Sequence, residues 1–181
     1  MRVILGVDPG TANTGWGVVR QEGSRLSELG HGCIVTSARD ELGARLRRIH
    51  DELSYLLRRF DPAAVAVEEL FVNVNVRTAL TVGQARGVIL LAAAQLGIPA
   101  VDYSPLSIKQ AVTGYGRAGK VQVQEMTRVL LGLDRIPKPD HAADALAVAI
   151  THAHITRAGV ERPATPGSPV RRRRAAGGRR R

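Results

Sequence analysis

The chain has 181 residues, 44% of them apolar, and one cysteine, Cys33, so it has the apolar stock for one folded core but no disulfide framework and no cysteine-built metal site. Its net charge of +10 is gathered at one end: residues 163–181 hold seven arginines (Arg171 to Arg174 and Arg179 to Arg181) and no acid, which leaves +3 for residues 1–162. No run approaches the roughly 18 apolar residues of a membrane span and no signal-peptide pattern opens the chain, so no membrane partner and a cytoplasmic location are expected.

In chain order, Val3 to Val7 is a short apolar, β-type run that delivers Asp8 at its end and breaks on Pro9-Gly10. Strands are predicted over Trp16 to Gln21 and Arg25 to Thr36, with Gly23-Ser24 as the hairpin turn, so the first three strands are antiparallel neighbours. Trp16, Val18 and Val19 do not alternate cleanly, and no face is assigned to that strand. Asp40 to Phe60 is an amphipathic helix, with Leu42, Leu46, Ile49, Leu53, Leu56, Leu57 and Phe60 recurring at three and four, and Pro62 stops it.

Ala63 to Val67 is again short and β-branched and ends in Glu68-Glu69. A strand after a helical crossover runs parallel to its neighbour, so Glu68 is expected at the same sheet edge as Asp8, with Glu69 turned away by the period of two. An apolar helix follows from about Arg77 to Leu96, with Gly83 and Gly87 four apart, a spacing suited to an oligomer contact or to close packing on the sheet. Ala100 to Tyr103 reads as a second parallel strand, and Leu106 to Val112 and Val123 to Leu131 as helices. The Gly114 to Lys120 segment between those helices reads as a mobile basic loop, and it fails the Walker pattern because Val121 follows Lys120. Asp140 occupies an N-cap position before a last helix in which His141 and Asp144 share a face. His31, His50, His152 and His154 receive no role.

The fold class is α/β, with residues 1–158 as one domain. Residues 159–181 form an arginine-rich tail whose Pro/Gly/Ala/Arg composition predicts disorder and a polyelectrolyte arm for nucleic acid. Asp8, Glu68, His141 and Asp144 can converge on one sheet edge. Carboxylates crowded there repel unless cations lie between them, and oxygen ligands with one imidazole suit Mg²⁺ or Mn²⁺.

The chain resembles the RuvC family of bacterial Holliday junction resolvases from about Met1 to Ala158. The motifs that carry the resemblance are Ile4-Leu5-Gly6-Val7-Asp8-Pro9-Gly10 with Thr14-Gly15, Val67-Glu68-Glu69-Leu70-Phe71 and Gly83-Gln84-Ala85-Arg86-Gly87-Val88. They continue with Lys120-Val121-Gln122-Val123-Gln124 and His141-Ala142-Ala143-Asp144-Ala145-Leu146-Ala147. The resemblance implies an RNase H-like fold: a five-stranded mixed sheet, three antiparallel N-terminal strands plus two parallel ones, flanked by helices. It implies a homodimer that nicks a four-way DNA junction in recombination and repair, with two Mg²⁺ per subunit (Mn²⁺ able to substitute), and partnership with the branch-migration proteins RuvA and RuvB. It also implies that Asp8, Glu68, His141 and Asp144 are metal-binding and catalytic, with histidine at a position that is aspartate in some members. Lys120 is implied as catalytic and DNA-binding, and Phe71, Lys109 and Arg77 as DNA-binding. Gly6-Val7-Asp8-Pro9-Gly10-Thr11 also looks like the phosphate loop of actin-like kinases, but those enzymes close two such domains around ATP. The same residues would also suit a fold relative that only binds branched nucleic acid, or one that acts on RNA.

Overall fold

The computed structural model describes residues 1–69 and 76–157; Phe71 and the tail from residue 158 lie outside the described residues. The elements run β1 (Arg2–Asp8), β2 (Asn13–Glu22), β3 (Arg25–Val35), α1 (Leu42–Phe60), β4 (Ala64–Glu68), α2 (Val76–Gln95), β5 (Ala100–Tyr103), α3 (Pro105–Thr113), α4 (Lys120–Leu131) and α5 (Asp140–Arg157). The sheet order is β3-β2-β1-β4-β5. β1, β2 and β3 pair antiparallel through tight connections, and β4 and β5 join parallel to β1, as expected for strands reached by helical crossovers.

The period of two along each strand divides the core into two layers. Leu5, Val7, Val18, Val65 and Val67 face α1 and α2, together with Ile49, Leu53 and Leu57 of α1 and Ala85 and Ile89 of α2. Ile4, Val19, Ala66 and Tyr103 face α3, α4 and α5. Complete burial of such aliphatic side chains contributes on the order of 1.5–3 kcal/mol each, which places the stability of the domain at the centre of the sheet. Val18 and Val19 are both fully buried because they point to opposite layers. The register against β3 shifts between them, leaving Leu29 as the extra residue of a bulge. The alternation hidden in the sequence is that of Trp16 and Val18 against Gly15, Gly17 and Val19.

Those glycines have a packing cause. α5 lies directly on β1 and β2, and a Cβ on Gly6 would overlap the carbonyl oxygen of Ala145 and come within 2.7 Å of the Ala149 nitrogen. One on Gly15 would overlap the carbonyl of His141. The contact lets an alanine-rich helix reach the sheet at backbone distance, and Ala142, Ala145 and Ala149 are fully buried there.

Several expectations are corrected in detail. β2 starts at Asn13 and α1 at Leu42. α4 starts at Lys120, with Gly119 as its N-cap, so Lys120 is helical and not a loop residue. The 114–119 segment is tied down by Gln110 Nε2 to the Gly114 carbonyl (2.8 Å), by Thr113 Oγ1 to the Tyr115 carbonyl (3.1 Å) and by buried Ala118. Asp140 is the first residue of α5; the Pro139 carbonyl accepts from Ala142 (2.9 Å), so Pro139 opens the helix and the Asp140 carboxylate is available for ion pairs. Gly87 is open, since a Cβ there would meet nothing within 4 Å, so close packing on the sheet does not explain it. No helix among the described residues is long and apolar enough to cross a membrane.

Candidate metal-dependent active site

β1 ends in Asp8 on the α5 side of the sheet, the side of Ile4 and Gly6. The parallel register pairs Gly6 with Ala66 and Val7 with Val67, which brings Glu68 to the same edge and the same face. The glycine contacts fix the height and rotation of α5, so that His141 crosses over Gly15 and Asp8, and Asp144 follows three residues on. Sheet edge and helix start therefore meet by construction: the residues that must be glycine are the ones under the first two turns of α5.

Asp8, His141 and Asp144 each offer a ligand atom within 4.8 Å of the others. His141 Nδ1 donates to Asp8 Oδ2 (2.7 Å), the tautomer following from the carboxylate partner. Glu68 stands outside that tight group but lines the same cleft, of about 250 Å³, together with Lys109 of α3 and Lys120 of α4. Lys120 Nζ lies 3.1 Å from Asp144 Oδ2 and 3.6 Å from Asp140 Oδ2, and Lys138 Nζ lies 2.9 Å from Asp140 Oδ1.

The electrostatics are those of a crowded acidic site. Burial pushes the Glu68 carboxyl up, the charges of Asp8 and Asp144 push it further, and Lys120 and Lys109 only partly oppose them, so its pKa reaches about 7. Burial also raises Asp8, and the hydrogen bond and charge of His141 pull it back only in part. Burial works against the Lys120 ammonium, but the hydrogen bond and charge of Asp144 and the charge of Asp140 outweigh it and raise its pKa. The donors fit a hard divalent cation: oxygen ligands with one imidazole, and the Asp8 and Glu68 carboxyls held above their ordinary range chiefly by burial.

All four expected ligands and both expected lysines are thus brought to one cleft. Arg77 is the second residue of α2, and its side chain is not among those described. Sequence reasoning missed the Lys138–Asp140–Lys120 chain of charges at the rim. Its signal was Pro139, which opens the helix and releases Asp140 from capping. His50 and His152, given no role from sequence, link elements instead: His50 Nε2 meets Gln95 Oε1 (2.8 Å) and buried His152 Nδ1 meets Tyr103 Oη (2.9 Å).

The family described as crossover junction endodeoxyribonuclease RuvC matches residues 4–152. The chain belongs to the RuvC family. A RuvC of Rubrobacter xylanophilus is 60% identical over 152 residues, covering 84% of this chain and 85% of that protein. A RuvC of Heliobacterium modesticaldum is 57% identical over 158 residues, covering 87% and 98%. The solved structure of Thermus thermophilus RuvC in complex with a Holliday junction substrate superposes with a TM-score of 0.85 at 42% identity, covering 88% of this chain and 97% of that one. The yeast mitochondrial Holliday junction resolvase Ydc2, at 14% identity and a TM-score of 0.62, shares the fold. RuvC membership makes the chain a nuclease of the junction-resolving class on an RNase H-like fold.

Proposed function

We propose that this chain resolves four-way DNA junctions in recombination and repair by paired, metal-dependent nicks, with Asp8, Glu68, His141 and Asp144 as its metal-binding and catalytic residues. The observation that carries the reading is the convergence of Asp8, His141 and Asp144 within 4.8 Å of one another in a cleft faced by Lys120. The four residues would hold Mg²⁺, two ions per subunit with Mn²⁺ able to substitute, which supply water activation and stabilisation of the leaving oxygen.

The chain's own residues do the rest. Lys120, with Lys109 beside it, neutralises charge building on the phosphate, and the Asp144 and Asp140 carboxylates hold the Lys120 ammonium at the rim until substrate arrives. His141 orients the attacking water. Attack forms the new oxygen–phosphorus bond as the P–O3′ bond breaks, leaving a 5′-phosphate and a 3′-hydroxyl. The resemblance further assigns DNA contact to Phe71 and Arg77.

A homodimer presents two such sites to a two-fold junction. The outward face of α2 supports it: Leu80 is 65% and Leu91 52% exposed, with open Gly87 between them, an apolar stripe with room for a second helix. Cooperation with RuvA and RuvB, a cytoplasmic location and DNA binding by the arginine tail complete the proposal.

Purified protein with Mg²⁺ on a synthetic four-way junction is expected to give symmetric nicks, and Asp8→Asn to lose them by at least about a thousandfold while still binding. Equal cutting of linear duplex, or undiminished cutting by Asp8→Asn, refutes the proposal.

A further inference from the structure

An open apolar groove of about 440 Å³ runs along α3 where the last turn of α5 crosses it, lined by Leu106, Ser107, Gln110, Ala111 and Ile155. None of these side chains carries charge, and Leu106 leaves 61% of its surface exposed. α3 stands between this groove and the acidic cleft. It turns Pro105, Ile108 and Lys109 to the cleft and the other four residues to the groove. The two helices are tied together at the groove, because His154 Nδ1 donates to the Ala111 carbonyl (3.0 Å).

Two other helices of this chain end in the same way, on a glycine followed by an aliphatic residue. Past α2, Gly97 takes a left-handed conformation (φ 69°), its amide donates to the Ala94 carbonyl (3.0 Å) and the Ile98 amide to the Ala93 carbonyl (3.0 Å). Past α4, Gly132 (φ 66°) donates to the Val129 carbonyl (3.1 Å) and Leu133 to the Arg128 carbonyl (2.9 Å). Both turns send the aliphatic side chain back onto the core, Ile98 onto one layer and Leu133 onto the other. α5 ends at Arg157, and Gly159-Val160 follow it at the offset at which Gly97-Ile98 follow Gln95, the last residue of α2.

We infer that the chain turns back at Gly159 and that Val160 covers the groove between Ile155 and Leu106, which roots the arginine-rich arm behind α3. In this kind of helix ending the aliphatic residue after the glycine meets the side chain five positions before it. With Gly159 in the role of Gly97 those two residues are Val160 and Ile155, and Ile155 is already a wall of the groove. A groove without charge suits this occupant better than it suits a nucleic-acid strand, which needs cations. Val160 is eleven residues before Arg171, a reach of at most about 40 Å. That is enough to carry the first arginines around α3, a helix about 10 Å across, to the side of Lys109 and the acidic cleft. The docking of Val160 does not depend on the proposed junction-cutting activity.

The test uses the full-length chain with Ser107→Cys in the groove and native Cys33 in β3 as internal reference. A thiol reagent, followed at each cysteine by mass spectrometry, is expected to label position 107 about tenfold more slowly with Val160 present than with Val160→Asp, while Cys33 labels at the same rate in both. Val160→Leu is expected to keep the protection, and Val170→Asp to leave it intact. If Val160→Asp speeds labelling at Cys33 as well, the fold is disturbed and Val160→Ala makes the same comparison. Equal labelling of position 107 with and without the Val160 side chain overturns the inference. So does protection that survives its removal and rises with protein concentration, which gives the groove to a second copy. Protection that arises only when junction DNA is added gives the groove to DNA and overturns it too.

Discussion

Replacing Glu68 by glutamine removes the strongest electrostatic conflict in the metal-free protein. The Glu68 carboxyl titrates at about 7, against an ordinary 4.5, because it is buried beside Asp8 and Asp144. A raised folded-state pKa means that the folded protein binds more protons than the unfolded chain between these two values, so stability falls as pH rises through that window. At 1.36 kcal/mol per unit the shift corresponds to about 3 kcal/mol, and partial access to solvent at the cleft reduces the expected effect to roughly 1–2 kcal/mol. Thermal unfolding in EDTA should therefore place Glu68→Gln about 3–6 °C above wild type at pH 8, with the difference vanishing near pH 4.5. Mg²⁺ should stabilise wild type more than the variant at pH 8, because the cation relieves the same repulsion. A variant less stable than wild type at pH 8 in EDTA, or a difference independent of pH between 4.5 and 8, refutes the electrostatic account of this site.

Gly6→Ala drives a methyl group into the Ala145 carbonyl, and we expect a loss of about 3 kcal/mol in urea unfolding together with loss of cutting, as α5 is lifted from Asp8. Leu80→Asp combined with Leu91→Asp should convert the proposed dimer to a monomer by sedimentation without lowering the melting temperature at low concentration, because both side chains are exposed. Lys120→Ala should slow cutting about a hundredfold with little change in junction affinity, read by single-turnover kinetics beside equilibrium binding. Removing residues 163–181 takes away seven arginines, so the fall of log K with log salt should become shallower by several units if the tail contacts phosphates; an unchanged slope refutes a DNA-binding tail.

The paired sheet strands and the order of elements were legible in the sequence, as were the patterns that single out Asp8, Glu68, His141 and Asp144 as candidates, since each depends on local pattern. An apolar run that stops on an acid, a helix crossover that enforces a parallel neighbour, and a His/Asp pair at helical spacing need only periodicity and chain geometry. Mixed signals arose where two layers compete for one strand. Val18 and Val19 looked irregular because Gly15 and Gly17, which carry no side chain, occupy half of the alternation. The rim of the site was misread at Asp140 because a capping residue and a first-turn residue differ by one position. The carbonyl of Pro139 decides between them.

What the sequence determined alone was that Asp8 and Glu68 end strands at the same edge of a sheet, because strand length and crossover direction are local properties. It did not determine that His141 would lie over Asp8, 133 positions away along the chain. That depends on how closely α5 can approach β1 and β2, which is set by the bare backbone of Gly6 and Gly15 against the carbonyls of Ala145 and His141. A glycine in a strand reads as a weakness until the helix it admits is known.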